Sequence, residues 1–263
     1  MEGSSTIKTD EIKSRMDDLF IFASQVQYGD KHPLRVVQAS KSLIGINLES
    51  PTKVLLKWLE FYMQDFIPDF SLQSLNSDET SPEIITFTHL KNLILKKKAV
   101  ESQIYLSNLL QVAGATHIAE YLVELGAIKS PGSLLFCLSA LRIIQFLGEK
   151  EGNLILYHCI SKLLEKDRCE INSNEFFMEK FELYCHQFQI SNSEMVRKNK
   201  IIPHLNKLVQ SLDSEIKELT FPELPKSLIK MIASEGSHGI ISYLSTQTLN
   251  NITPNLILLL DAL

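Results

Sequence analysis

Three stretches of the chain bring a histidine to the start of a helix: YGDKHPLRVVQASKSL at 28–43, AGATHIAEYLVEL at 113–125 and EGSHGIISYLSTQTL at 235–249. In each, a glycine closes one apolar run, and His32, His117 or His238 follows two or three residues later. An imidazole so placed has three uses open to it: metal ligand, general base or helix cap. His32 stands apart because Val36, Ala39 and Leu43 continue its face, directing the ring into a helix interface. Tyr28 precedes it by one turn and Arg35 follows by another. A partly buried histidine between tyrosine and arginine can serve as a base or ligand anchor tuned by burial. His32, Tyr28 and Arg35 are therefore the candidate catalytic residues. The same position also suits a histidine that caps a helix and bonds within the core.

His117 opens a polar stripe with Glu120 and Glu124, which reads either as half of a metal face or as a solvated edge. With His238 it forms the candidate ligand-binding set. The run KWLEFYMQDF at 57–66 places Trp58, Phe61, Tyr62 and Phe66 at helical spacing. Such a stripe can line a pocket for a flat ligand or pack as core. Trp58 and Tyr62 join the ligand-binding candidates on the first reading.

Other constellations argue against metal chemistry. Adjacent helical residues diverge by about 100 degrees, so Tyr157-His158-Cys159 and Tyr184-Cys185-His186 cannot each aim both ligands at one ion. The apolar face of the first helix runs through Ile155, Leu156, Cys159 and Leu163, leaving His158 with Ser161, Lys162 and Glu165. The second sets Phe177, Phe181, Tyr184 and Phe188 inward and His186 beside Glu179, Glu182 and Gln189. This pattern predicts buried, inert thiols and exposed imidazoles, with His89 and His204 also at the surface. The Glu-x-x-His pair needed twice in a di-iron bundle occurs at Glu235–His238, where Gly236 interrupts it. No H-E-x-x-H, G-x-G-x-x-G, P-loop or G-x-S-x-G signature is present, and no metal site is expected.

The elements that must position these residues are punctuated by cap chemistry. Ser50-Pro51, Ser81-Pro82, Ser130-Pro131 and Thr253-Pro254 each set a hydroxyl at N-cap and proline at the first helical position. His32-Pro33 reads as a fifth start with imidazole as the cap. Gly29, Gly45, Gly114, Gly126, Gly148 and Gly236 read as stops. Helical periodicity predicts about a dozen helices. The segment IITFT at 84–88 alternates like a strand, but Ile84, Phe87, Leu90 and Ile94 keep helical spacing and favour a helix. The expected fold is all-α, with about a dozen helices in stacked antiparallel pairs forming an irregular bundle or solenoid-like array. Residues 1–263 are read as one all-helical domain, with subdivision possible at the weakly patterned stretches 67–81 and 213–225. The apolar run that stops at Leu263 implies either a covering neighbour or a natural chain that continues.

Composition narrows the partners. A net charge of -5 opposes the basic footprint that nucleic-acid binding requires. The one basic run, Lys96 to Lys98, follows NLIL and suits a solvated helix end. The N-terminal MEGSSTIKTDEIKSR lacks the apolar region of a secretory signal. The most apolar segments, 133–144 and 255–263, are too short or interrupted to span a bilayer. Four cysteines without a C-x-x-C pair, and no export signal, predict reduced thiols in the cytoplasm.

The phrases GDKHPLRVVQASKSL and EGSHGIISYLSTQTL resemble the histidine-led helices of the questin-oxidase-like proteins, a large all-helical family. That resemblance implies an oxygenase or ligand-binding pocket between helices, lined by His32, His117 and His238. The residues themselves, capped amphipathic helices without an assembled catalytic set, point to a cytoplasmic binding or scaffold protein. Its partner would be another protein or a second copy of itself, with neither nucleic acid nor membrane involved. The alternative is an oxidoreductase with a histidine-lined pocket between helices. No cofactor is specified by these residues.

Overall fold

The computed structural model describes residues 9–29, 32–48, 52–70, 85–165, 179, 182–183, 186 and 225–263. Among the described residues the chain is all-α, with eleven α-helices, two short 3-10 turns and no strand beyond one isolated bridge between Val26 and Pro68. The helices are α1 (Thr9–Gln25), α2 (Leu34–Ile46), α3 (Thr52–Met63), α4 (Phe87–Leu95), α5 (Ala99–Leu110), α6 (Ala115–Lys129), α7 (Pro131–Leu147), α8 (Gly152–Leu164), α9 (Lys226–Glu235), α10 (Ser237–Ser245) and α11 (Pro254–Ala262). None is long and apolar enough to cross a membrane.

Contacts divide the chain into two units. The first takes the described residues of Met1–Val26, Pro33–Pro68 and Leu219–Leu263; the second takes those of Gln27–His32 and Asp69–Glu218.

In the first unit α2 is the central helix, touched by α1, α3, α10 and α11. It is accordingly buried on most of its circumference, through Val36, Val37, Ala39, Leu43 and Ile44, and even through Gln38 and Ser40. The outer helices need only one apolar stripe. On α1 that stripe is Ile12, Met16, Phe20 and Ala23. Thr253 caps α11 by accepting from the Leu256 amide at 3.2 Å, with Pro254 in the first turn. Gly236, at φ +61, ends α9 and lets α10 fold straight back onto it.

In the second unit α8 is central, contacting α4, α5, α6 and α7. Its neighbours α6 and α7 form an antiparallel hairpin joined by Ser130 alone. Ser130 caps α7 by accepting from the Ser133 amide, as the Ser-Pro pattern predicts. Leu134, Ile143 and Ile144 on α7 and Leu122 and Val123 on α6 are buried in this unit, each contributing about 1.5–3 kcal/mol relative to exposure.

Two readings of punctuation are corrected. Gly126 does not stop a helix: it lies inside α6, where a Cβ would stand 2.9 Å from the Ser133 carbonyl oxygen and 3.0 Å from Leu134 Cα. Glycine is there because the start of α7 comes within backbone distance. Likewise Gly45 sits within α2 rather than beyond it. Gly148, at φ +99, does end α7. The segment read as helix from Ile84 begins later, at Phe87, with Thr86 as the cap that accepts from the His89 amide. The basic run ends α4 in the expected way. Lys97 adopts φ +55, and the amides of Lys97 and Lys98 donate to Ile94 and Leu93 carbonyls, the paired bonds of a Schellman motif. Ser50-Pro51 and Ser81-Pro82 lie outside the described residues.

Candidate functional site

The residues that meet in the second unit are Tyr28, His32, Phe136 and His158. The rings of His32 and His158 are 4.3 Å apart between centroids and tilted by 49°. Tyr28 stacks on His32 at 5.6 Å and on His158 at 6.1 Å. Phe136 of α7 presents an edge contact to Tyr28 at 5.7 Å and to His32 at 5.8 Å. Tyr28 and His32 lie one turn apart in sequence, which already permits the first stacking. α8, packed on α7, delivers His158 from far along the chain.

His158 corrects the sequence reading, which set it at the surface: it is fully buried. The face argument assumes that a helix keeps one side in solvent, whereas α8 has neighbours all round. His186 is corrected too. It is buried with Glu182, whose Oε1 lies 3.9 Å from its Nε2, so the polar face pairs with itself at i, i+4 spacing. Cys159 is buried as expected, and Cys137 of α7 is buried with it. Burial, followed by a hydrogen bond with Cys137 and the charge that partner would carry, pushes the Cys159 thiol well above its ordinary range. A neutral thiol is a poor nucleophile. Cys185 and His204 lie outside the described residues.

Electrostatics assign Tyr28 its role. Its Oη donates to Glu165 Oε1 at 2.8 Å. Burial first, then the negative charge and hydrogen bond of Glu165, raise the phenol far above its ordinary value. Tyr28 therefore keeps its proton and acts as a donor. Glu165 Oε2 also accepts from Lys162 at 2.9 Å, while Lys162 stands 3.9 Å from Glu179. Lys129 of α6 donates to the carbonyls of Leu163 and Glu165, satisfying the carbonyl end of α8.

The imidazole of His32 is not the predicted cap. Proline occupies the cap position of α2, with the Pro33 carbonyl accepting from the Val37 amide at 3.0 Å and no side-chain cap bond. Arg35 is half-buried on α2 and belongs to the first unit, whereas His32 counts with the second. His117 projects from α6 with 69% of its side chain exposed, its Nδ1 3.6 Å from Glu120 and its ring against the edge of Phe87. This is the solvated edge that its stripe allowed. His238 is exposed on α10 in the first unit. The recurrent histidines thus have three different surroundings. His89 is exposed, as expected.

The aromatic stripe divides: Trp58 is core, Tyr62 and Phe66 are half-buried, and Phe61 is exposed. Trp58 is buried and its Nε1 donates to the Ile252 carbonyl at 2.9 Å. Tyr62 stacks on Trp58 at 5.3 Å, nearly parallel, and meets Phe66 edge-on. Burial, then Asp65, pushes the Tyr62 hydroxyl up to about 12. A cavity of about 380 Å³ opens nearby in the first unit, lined by Leu19, Phe22, Met63 and Phe66, with the ion-paired Arg15 and Glu60 at its wall. Trp58 and Tyr62 do not line it. Phe61, read as part of the stripe, points outward and is 68% exposed.

Among the described residues no group of three or more histidine, cysteine, aspartate or glutamate side chains is arranged to hold a metal ion. The imidazole pair joins a fully buried ring, His158, to a half-buried one, His32, which can contact a ligand's polar atom. Tyr28 and Glu165 brace it rather than react. No protein-family model matches this chain, and comparisons with curated proteins and solved structures return no match either.

Proposed function

We propose that this chain is a cytoplasmic, non-catalytic helical module that binds another protein or a second copy of itself. One observation carries the reading: Phe61 and Ile67, 68% and 84% exposed, flank the chain segment that lines an apolar cavity beside the Arg15–Glu60 pair. Exposed aromatic and aliphatic anchors with an arginine beside them have the composition of interface hot spots. Tyr28 and Cys159, by contrast, are held neutral by burial and by their partners. The test is co-purification from the native host of wild type against Phe61→Glu and Ile67→Glu. A stoichiometric protein partner or homo-oligomer that either change removes is the expected result. A complex indifferent to both changes contradicts this docking site.

A second, catalytic reading draws support from the His32–His158 pair with Tyr28. It would make the protein an oxidoreductase, as the resemblance to questin-oxidase-like proteins implies, with His158 joining His32 as a candidate residue. Turnover of a small molecule that His32→Ala abolishes in a folded protein would favour it over docking.

A further inference from the structure

We propose that the turn joining α4 to α5 is a contact point for membrane surfaces that carry anionic lipid headgroups. Residues 91–101 hold four lysines against one glutamate, a local net charge of +3 in a chain that sums to -5. The glutamate is already committed, because Glu101 accepts from Lys98 at 3.0 Å. Lys96 and Lys97 are exposed and pair with no carboxylate among the described residues. Apolar side chains flank them. Leu95, the last residue of α4, and Val100, the second of α5, are each 64% exposed. Neither belongs to the stripe that its helix buries, which is Leu90 and Ile94 on α4 and Tyr105, Leu106 and Leu109 on α5.

The turn holds these groups on a fixed frame. Lys97 at φ +55 and the paired amide bonds to the Leu93 and Ile94 carbonyls close α4, and the Lys98 carbonyl accepts from both the amide and the hydroxyl of Ser102 to open α5. Little ordering entropy is then lost on docking. Lysine stems lie along apolar surface while their ammonium groups reach outward, so a headgroup layer can take Leu95 and Val100 at its apolar boundary and the cations at its phosphates. An anionic surface strengthens binding by about fivefold for each lysine near it, and its field fades within about 8–10 Å, so the acidity of the whole chain does not decide the matter. The expectation of no membrane partner came from the want of a spanning segment, and contact at the surface requires none. A polyanion without an apolar layer, such as an acidic peptide, would make no use of Leu95 and Val100. The turn belongs to the second unit and Phe61 to the first, so this contact rests on residues other than those of the protein-docking site.

The experiment is co-sedimentation of the full chain with vesicles of phosphatidylserine mixed with phosphatidylcholine, against vesicles of phosphatidylcholine alone. Wild type is expected to bind the mixed vesicles, and to do so at least about tenfold more weakly in about 0.5 M salt than in about 0.05 M, because salt screens the lysines. Lys96→Ser with Lys97→Gly should weaken binding by about twentyfold, at about fivefold per lysine. Glycine suits the φ of Lys97, so this variant keeps the turn. Leu95→Ser with Val100→Ser should weaken binding by about tenfold through lost apolar burial, while Phe61→Glu leaves it unchanged. Far-UV circular dichroism checks that each variant keeps its helices. Failure to bind mixed vesicles in low salt, equal binding to the neutral ones, or undiminished binding by the lysine variant would overturn the proposal. Undiminished binding by the Leu95→Ser, Val100→Ser protein would overturn it too, by reducing the turn to a general polyanion site.

Discussion

Replacing glycine by alanine should act in opposite directions at two positions of this chain. Inside a helix, alanine is favoured over glycine by about 0.5–1 kcal/mol through backbone entropy and propensity. At Gly45 no heavy atom lies within 4 Å of an added Cβ, so the gain is realised, at about 0.5 kcal/mol because α2 ends one residue later. At Gly126 the Cβ would meet Ser133 O at 2.9 Å and Leu134 N and Cα at 3.0 Å, where ordinary contacts begin at 3.4 Å. Those atoms are backbone and cannot swing aside, so α6 and the start of α7 must part by roughly half an ångström. Overpacking of this kind costs about 2–3 kcal/mol, and subtracting the helical gain leaves a net loss of about 1–2 kcal/mol. Thermal unfolding followed by far-UV circular dichroism should show Gly126→Ala lowered by several degrees, at about 2–4 °C per kcal/mol, and Gly45→Ala raised slightly. A Gly126→Ala protein as stable as wild type would refute the close helix approach.

Other perturbations are equally direct. Lys97→Gly should stabilise by about 0.5–1 kcal/mol, since Lys97 holds a left-handed conformation that glycine adopts freely; urea midpoints would register it. Glu149 accepts from the Thr116 amide at the start of α6, where Gly114 supplies no side-chain cap; hydrogen bonds from Thr116, then Ala115, hold its carboxyl below the ordinary carboxylate range. Its contribution is present above that range and is lost as pH falls through the lowered value, so Glu149→Gln should cost about 0.5 kcal/mol at neutral pH, less in high salt, and nothing in acid, as melts across pH would show. Trp58→Phe should cost about 1–3 kcal/mol by leaving the Ile252 carbonyl without its indole donor, measurable by urea unfolding.

What could be read from the chain beforehand follows the range of the interactions. Ser130 and Thr253 were legible as caps because a hydroxyl, a proline and an amide three residues on make a self-contained unit. Tyr28 and His32 were legible as neighbours for the same reason: they are four residues apart. Gly126 was misread because glycine serves both as a helix stop and as a place for close approach, and only the position of α7 separates the uses. His158 was missed because amphipathic reasoning presumes a solvent side that α8 lacks; a helix in which Ile155, Leu156, Cys159, Ile160 and Leu163 are all apolar already hinted at broad burial. Nothing local could have paired Trp58 with Ile252, or given the three helix-start histidines their separate surroundings.

Native mass spectrometry of the protein purified from its own host tests the binding-module reading most directly, because it weighs partners, copies, metals and small molecules together. The predicted spectrum shows a stoichiometric protein complex or homo-oligomer that Phe61→Glu reduces to the single chain. A monomer carrying a metal or cofactor mass, unchanged by Phe61→Glu, would contradict the docking surface and turn attention to His32 and His158.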